Sequence, residues 1–389
     1  MKKIAQAVKM YLGLDAHAET IAVAVAEAGG GEARPLGIIP NRPASIGKLI
    51  RKLGSPQAIK ACYEAGPCGY DLYWQLVGLG VHCDVVAPTL IPVKAGDRVK
   101  TDRRDARKLA QLYRSGELTP AWVPDKAHEA LRDVVRAREA AKKDQLRARH
   151  RLSKFLLRKG LRPPEKRKAW SDKYMQWVKG LTMPFAAEEA VRLDYINEVD
   201  HAAARIERLG RAIDEAVDAA PKEIQAVVQA LQAFRGLQRL SAATIAAEAG
   251  SLSRFKGAKQ LMGYGGIVSS ESSSGERTRR GAITKTGNAH LRRIVVEAAW
   301  SYRHKPSLSK RLRERQKDIS PEICEIAWKA QHRLHKRYMT LLMKGKNKQQ
   351  VVVAVGRELL GFIWDVGRRV EAAQASSPAQ SPQVVRKVA

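Results

Sequence analysis

Four carboxylates lie in the first 105 residues, Asp15, Glu64, Asp102 and Asp105, and each stands where a short apolar run ends or a helix begins. Asp15 closes the run MYLGLD, and TIAVAVAEAGG follows as a second alternating run. Two such runs a few polar residues apart read as a strand and its antiparallel neighbour. Glu64 ends a third apolar stretch, IKACYE, which Gly66 and Pro67 stop. Asp102 and Asp105 belong to KTDRRDARKLAQLY, where three-residue spacing sets both on one face of a helix's first turn. Acids from two strand ends and a helix start can converge on one point, and hard oxygen ligands of this kind suit Mg²⁺ or Mn²⁺. A pair of such ions stabilises the attacking and leaving oxygens of an in-line phosphoryl displacement. Taken singly, each acid has a plainer explanation as a solvated turn residue or a helix cap, Asp102 above all. Four in this order are harder to explain so.

The surrounding pattern predicts strands near 10–15, 19–27 and 34–40, a helix near 43–53, a strand near 58–65, a helix near 69–79, a strand near 81–88 and then the helix of Asp102. The order βββαβαβα is that of a ribonuclease-H-like domain, here residues 1–118. Residues 119–228 read as helical. Within them, 136–168 hold 14 Lys or Arg against three acids, a balance of +11 that favours a phosphate-tracking surface, with Arg147, Arg149, Arg151 and Lys154 as its contacts, over a solvated helix face. Val199, Ile206 and Ile213 recur every seven residues, with Ala202, Leu209 and Ala216 three on from each. This is a short coiled-coil seam, either a hairpin within the chain or a contact across a dimer.

Residues 229–371 form a third, mainly helical unit, and 372–389 read as a disordered tail. LQAFRGLQRLSAATIAAEAGSLSRF resembles a helix-hairpin-helix, but the usual second hairpin glycine is missing after Gly236, so phosphate binding and plain helix packing are equally open. A serine-rich basic loop follows. Gly275, Gly281 and Gly287 punctuate Arg277, Arg279, Arg280 and Lys285, while Asn288 can cap a helix presenting Arg292 and Arg293. Freed amides, arginine forks and a helix start make a phosphate cradle, against the plainer reading of a flexible loop. The late stretch VVVAVGRELLGFIWDVG carries Arg357 and Glu358 and reads as a buried amphipathic helix, not a membrane span.

Lys and Arg number 70 against 39 Asp and Glu, a formal charge of +31 with a pI near 10.2. Such an excess speeds association with polyanions and is relieved by phosphates, although structural RNA-binding proteins are equally basic. Cys62, Cys68, Cys83 and Cys324 include no CxxC pair, so neither a structural zinc nor a disulfide framework is expected, and the chain reads as reduced and intracellular.

GLD at 13–15, YEAGP at 63–67, KTDRRDA at 100–106 and the run from Ser273 through TKTGNAHLRR to residue 293 resemble the transposases of the insertion sequence 110 family. The resemblance covers most of the chain. It implies a Holliday-junction-resolvase-like domain followed by a serine-bearing C-terminal domain, with the acidic tetrad on Asp15, Glu64, Asp102 and Asp105 and the catalytic serine, the one before the loop glycine, on Ser274. Two departures are a serine at 269 in place of the common proline and the row Ser272, Ser273, Ser274, which leaves the nucleophile's alignment open; of the two neighbours, Ser273 is expected to be the more sensitive. The resemblance further implies a recombinase guided by a structured noncoding RNA of its own element, with donor and target double-stranded DNA as substrates, no membrane, and a dimer or tetramer. Pairing then reads sequence while protein holds backbone. The sequence offers no histidine beside Ser274, so metal at the tetrad is the expected help for a weak nucleophile. Two other readings stand beside this one: a metal-dependent junction resolvase using water as nucleophile, and a non-enzymatic RNA-binding scaffold.

Overall fold

A computed structural model of the chain describes residues 7–92, 101–163, 168–274 and 277–376, with only the backbone of Arg277. The chain divides into two compact units, one up to Val123 and one from Pro124 onward.

The first unit runs β1 (Met10–Ala16), β2 (Thr20–Glu27), β3 (Arg34–Pro40), α1 (Pro43–Leu53), β4 (Ile59–Glu64), α2 (Asp71–Gly78), β5 (His82–Val86), α3 (Asp102–Arg114) and β6 (Pro120–Ala121). Its sheet has the order β3-β2-β1-β4-β5-β6. β1 and β2 are antiparallel, as are β2 and β3, while β1, β4 and β5 run parallel. This mixed α/β arrangement is consistent with a ribonuclease-H-like domain. β6, two residues long, has no hydrophobic run to announce it.

The alternation of side chains along each strand gives the sheet two unlike faces. Leu12, Leu14, Ile21, Val23, Val25, Ile59 and Tyr63 form one core with Ile46 and Ile50 of α1 and Leu72 and Leu76 of α2. The opposite face is lined with small residues: Ala22, Ala24 and Ala26 of β2 pack against Ala106 and Ala110 of α3. Gly13 sits beneath the same helix, where a Cβ would stand 2.2 Å from the Ala106 carbonyl oxygen and 2.4 Å from the Ala110 nitrogen. The helix backbone therefore rests directly on the strand backbone. Gly13→Ala is expected to lift α3 from the sheet at a cost of about 1–3 kcal/mol or more, as for overpacked cores. Urea denaturation of the full chain checks this, and a variant as stable as the parent would show that α3 is free to shift.

The second unit holds α4 (Lys126–Arg158), α5 (Asp172–Lys179), α6 (Ala186–Asp218), α7 (Lys222–Leu231), α8 (Arg239–Ala249), α9 (Ala258–Tyr264), β7 (Ser269–Ser274), β8 (Arg277–Ile283), α10 (Ala289–Ala299), α11 (Lys310–Gln316), α12 (Pro321–Met343) and α13 (Lys348–Ser376). α4 and α6 form an antiparallel pair, tied by Arg151 to Glu198 and by Arg205 to Asp144. Val199 and Ile213 of the heptad seam are buried in this pairing. The seam is satisfied within the chain. Around α13, buried Val351, Val355, Leu359 and Ile363 centre the main core, as the late apolar stretch required.

Three expectations change. The serine-rich stretch is not a loop but a two-stranded antiparallel hairpin of β7 and β8. Its base is held by the Thr284 amide donating to the Val268 carbonyl at 2.9 Å and the Lys285 amide donating to Gly266 at 3.0 Å, so backbone pairing supplies the order that serine side chains do not. α13 runs on through Ser376, five residues into the stretch read as a disordered tail; 377–389 lie outside the described residues. Gly236, in the left-handed region at φ +86°, faces the fold, and a Cβ there would stand 2.5 Å from the Ala298 carbonyl oxygen, which favours helix packing over phosphate approach at that hairpin. Among the described residues the four cysteines are unpaired, and burial pushes the thiols of Cys62 and Cys83 up. No described helix is long and apolar enough to cross a membrane.

Candidate metal centre and serine hairpin

Strand parity sets the two strand acids on one face of the sheet. Asp15 is two residues beyond Gly13, on the face that α3 covers, and Glu64 is two beyond Cys62, which packs against Leu109 of α3. β1 and β4 pair in register up to Leu14 and Tyr63, so Asp15 and Glu64 are the next neighbours at the strand ends. α3 begins above them. Its N-cap is Thr101, whose hydroxyl accepts from the Arg104 amide, so neither Asp102 nor Asp105 is consumed in capping. Asp105 and Asp102 lie one turn before Leu109 and Ala106, the residues that seat the helix on the sheet.

Only part of the tetrad is drawn tight. Asp15, His17 and Asp102 offer ligand atoms that all lie within 4.8 Å of one another, and neither Glu64 nor Asp105 joins that group. His17 Nε2 stands 3.5 Å from an Asp15 oxygen and 3.6 Å from an Asp102 oxygen. A cation held at about 2.1 Å by each ligand sets those ligands roughly 3–4 Å apart, so this donor set fits a divalent ion. Glu64 and Asp105 are both half-buried. His17 escaped the sequence reading. Its signal was a second ligating residue two positions after Asp15, where the β1–β2 turn, closed by the His17 amide donating to Thr20, brings it back over the strand end.

In the second unit Ser274 ends β7, with Ser272 opposite Arg279, Ser273 opposite Thr278 and Ser274 opposite Arg277. Alternation places Ser272 and Ser274 on one face with Arg279. Ser273 is on the other, where its hydroxyl donates to Glu271 at 2.9 Å and Glu271 pairs with Arg280 at 3.5 Å. The hairpin is rooted in the TKTGN turn. Lys285 takes a left-handed φ of +56°, and Gly287 lies so close to Tyr264 that a Cβ would meet its carbonyl oxygen at 2.3 Å. Asn288 caps α10 as expected, accepting from the Leu291 amide, and its Nδ2 donates to Glu248. Glu248 is fully buried, yet its carboxyl is held below the usual range: burial opposes this, and hydrogen bonds from Arg136 and Asn288 outweigh it.

Several of the expected phosphate contacts have partners in the fold. Arg147 pairs with Asp144, Arg151 makes two hydrogen bonds to Glu198, and Arg149 stacks over Trp170 at 5.3 Å. Arg292 donates to the Gly265 carbonyl at 2.8 Å, and Arg293 to Glu139 and Glu297 at 2.9 Å each. Glu139 also takes His290 and Lys143; burial alone would raise its carboxyl, but these bonds hold it down at about 2. Lys154, Arg279 and Lys285 are exposed, and the side chain of Arg277 lies outside the described residues.

A family model of DEDD transposases of the insertion sequence 110 type matches residues 12–159, and one described as the transposase IS116/IS110/IS902 family matches residues 228–313. The first takes in all four acids and the second takes in Ser274. This is a transposase, an enzyme that cleaves and rejoins DNA. The putative transposase y4qE of Sinorhizobium fredii is 42% identical over 375 residues, spanning 94% of this chain and 90% of its own. The transposase for insertion sequence element IS1533 of Leptospira borgpetersenii is 32% identical over 342 residues, 87% of this chain and 98% of its own. The chain belongs to the IS110 family of transposases.

Proposed function

We propose that this transposase excises and inserts its element by a serine-dependent, metal-assisted reaction directed by a structured RNA, acting as a homo-oligomer. The observation that carries the reading is the paired placement of chemistry: acids on the α3 face of the sheet end in the first unit, and a serine on the arginine-bearing face of a hairpin in the second. The acidic group, Asp15, Glu64, Asp102 and Asp105, would hold Mg²⁺ or Mn²⁺, which when bound supplies charge stabilisation at the oxygens of the scissile phosphate. The Ser274 oxygen attacks the phosphorus; a phosphoserine ester forms, the bond to the 3′ oxygen breaks, the serine proton is lost, and the departing 3′ oxygen gains a proton. Arg279 on the same strand face, with Arg277, holds the phosphate during the exchange. Rejoining reverses these steps with a new 3′ hydroxyl. A domain order of 1–118, 119–228 and 229–371 suits this division of labour, with the basic α4–α6 pair as the arm for nucleic acid.

RNA guidance is supported by the +31 charge, which favours polyanionic partners, and by the long basic helical arm, which suits structured RNA better than base readout. The test is to purify the full chain from cells carrying its element, sequence the RNA bound to it, and assay joining of donor and target DNA before and after ribonuclease treatment. A discrete element-derived RNA whose removal stops joining is expected. Joining that survives complete RNA removal would refute guidance while leaving the transposase assignment intact.

A further inference from the structure

Residues 303–317, which lead into α11 and run through it, carry seven Lys or Arg against one acid, Glu314. No carboxylate among the described residues lies within ion-pair distance of any of the seven. Elsewhere in this unit Arg147, Arg151 and Arg333 are each taken by an acid. The segment is nonetheless held in place. Arg235, in the turn between α7 and α8, donates from Nη1 to the Lys305 carbonyl at 2.7 Å. Towards the other end Arg315 donates to the Leu237 carbonyl, and Gln316 to the Ala233 carbonyl at 2.9 Å. Both ends are thus fastened to residues 233–237. Between them Ser309 caps α11, accepting from the Leu312 amide, and Leu312 is buried, so that Arg311 and Arg313 on either side of it stand exposed. Where the segment begins there is a pocket of about 210 Å³, lined by Arg235, Trp300, Ser301, Arg303 and His304, with no acid in its wall. The Nε and Nη2 of Arg235 and the Ser301 hydroxyl have no partner in the fold and are open to solvent. Arg303 is exposed, with its Nε 3.1 Å from the His304 Nε2 and its terminal nitrogens unbonded. Gly236 closes the backbone of the turn against Ala298, so the donors here come from side chains.

Like charges gathered without counter-charges repel one another in the free protein, and a polyanion relieves the repulsion. An ordinary run of charge is a solvated face. This one is pinned at both ends, which lowers the ordering cost of binding, and it opens on a pocket where two guanidiniums and a hydroxyl meet, a donor set that suits the oxygens of a phosphate. We propose that residues 303–317, with Arg235 beneath them, form a phosphodiester-binding surface, in which one backbone phosphate of a bound nucleic acid sits between Arg235 and Arg303 and its neighbours along the strand meet Arg311 and Arg313. The proposal rests on the nucleic-acid-binding reading of the transposase given above. It adds a surface separate from both the α4–α6 arm and the serine hairpin.

The experiment uses the full chain as parent, Arg303→Gln, the double variant Arg311→Gln with Arg313→Gln, and Arg333→Gln as a control that removes the same charge from an exposed arginine already held by Glu358 at 3.0 Å. Binding to an element-end DNA duplex and, separately, to the RNA recovered with the protein is followed across a salt series, with the melting temperature of each free protein. For the nucleic acid that occupies the surface, Arg303→Gln should bind several-fold more weakly and lower the log–log salt slope by about 0.9 for duplex DNA or about 0.7 for single-stranded RNA, the double variant by about twice as much, and Arg333→Gln should keep the slope. Melting temperatures should move little, because all four side chains are exposed. Which of the two ligands shows the loss identifies the source of the phosphate. An unchanged slope with both ligands on Arg303→Gln would overturn the pocket, the same result on the double variant would overturn the surface along α11, and an equal loss on Arg333→Gln would reduce both to general charge. A parent protein that binds neither ligand would instead overturn the nucleic-acid reading beneath them.

Discussion

Asp15→Asn is expected to abolish strand cleavage while the chain remains folded and bound to nucleic acid. Asp15 sits on the α3 face of β1, its carboxylate within 3.5 Å of the His17 imidazole, which in turn lies 3.6 Å from Asp102. Asparagine keeps the shape and the half-buried position and removes the charge. Loss of a group that stabilises developing charge at a reacting phosphate costs on the order of a hundred- to a thousandfold, and loss of a ligand adds weakened cation affinity. Two measurements separate these effects from unfolding: Mn²⁺ titration of the free protein, which should show weaker binding, and thermal melting, which should move little because Asp15 seats no core side chain. Asp102→Asn is expected to behave alike. Undiminished cleavage by either variant would remove the metal from this sheet end.

Ser274→Ala is expected to lose recombination and any covalent protein–DNA adduct. Removing a nucleophilic serine in well-studied hydrolases costs roughly a millionfold. The strand register sharpens the internal control. From sequence alone Ser273 was the neighbour expected to be sensitive, being closer to Ser274. In the hairpin Ser273 lies on the opposite face and donates to Glu271, whereas Ser272 shares the face of Ser274 and Arg279. Ser272→Ala should therefore impair the reaction more than Ser273→Ala. Mass spectrometry of a nuclease-digested reaction reads the site directly. A nucleotide on Ser272 would move the nucleophile by one step along the same face, and cleavage with no adduct on any serine would return the enzyme to water as nucleophile.

The chain's own pattern made the first unit readable, because period-two runs ending in Asp15 and Glu64 and a capped, amphipathic start at Asp102 are local signals. The AVAVA run of β2 even carried the two unlike faces of the sheet, with valine towards α1 and α2 and alanine towards α3, though only the packing shows what the small residues are for. The same holds for Gly13, which as a sequence letter is part of a weak motif and in the fold is the point where a helix touches a strand. The hairpin was misread as a loop because serine and arginine give no apolar alternation; its order comes from backbone bonds to residues 264–268, which are distant in kind though near in number.

Sequence alone determined which residue types this transposase carries, at which element ends, and with what excess of positive charge. Tertiary structure alone decided which of them have partners. Arg149, Arg151, Arg292 and Arg293 look alike as letters in a basic chain, yet packing gives one an indole, two carboxylates and another a carbonyl, while leaving Arg311 and Arg313 unmatched. It also brought His17 between Asp15 and Asp102. The reason is physical: periodicity and capping are interactions of near neighbours, written in consecutive residues, whereas charge pairing and ligand geometry depend on distances of a few ångströms between elements far apart in the chain.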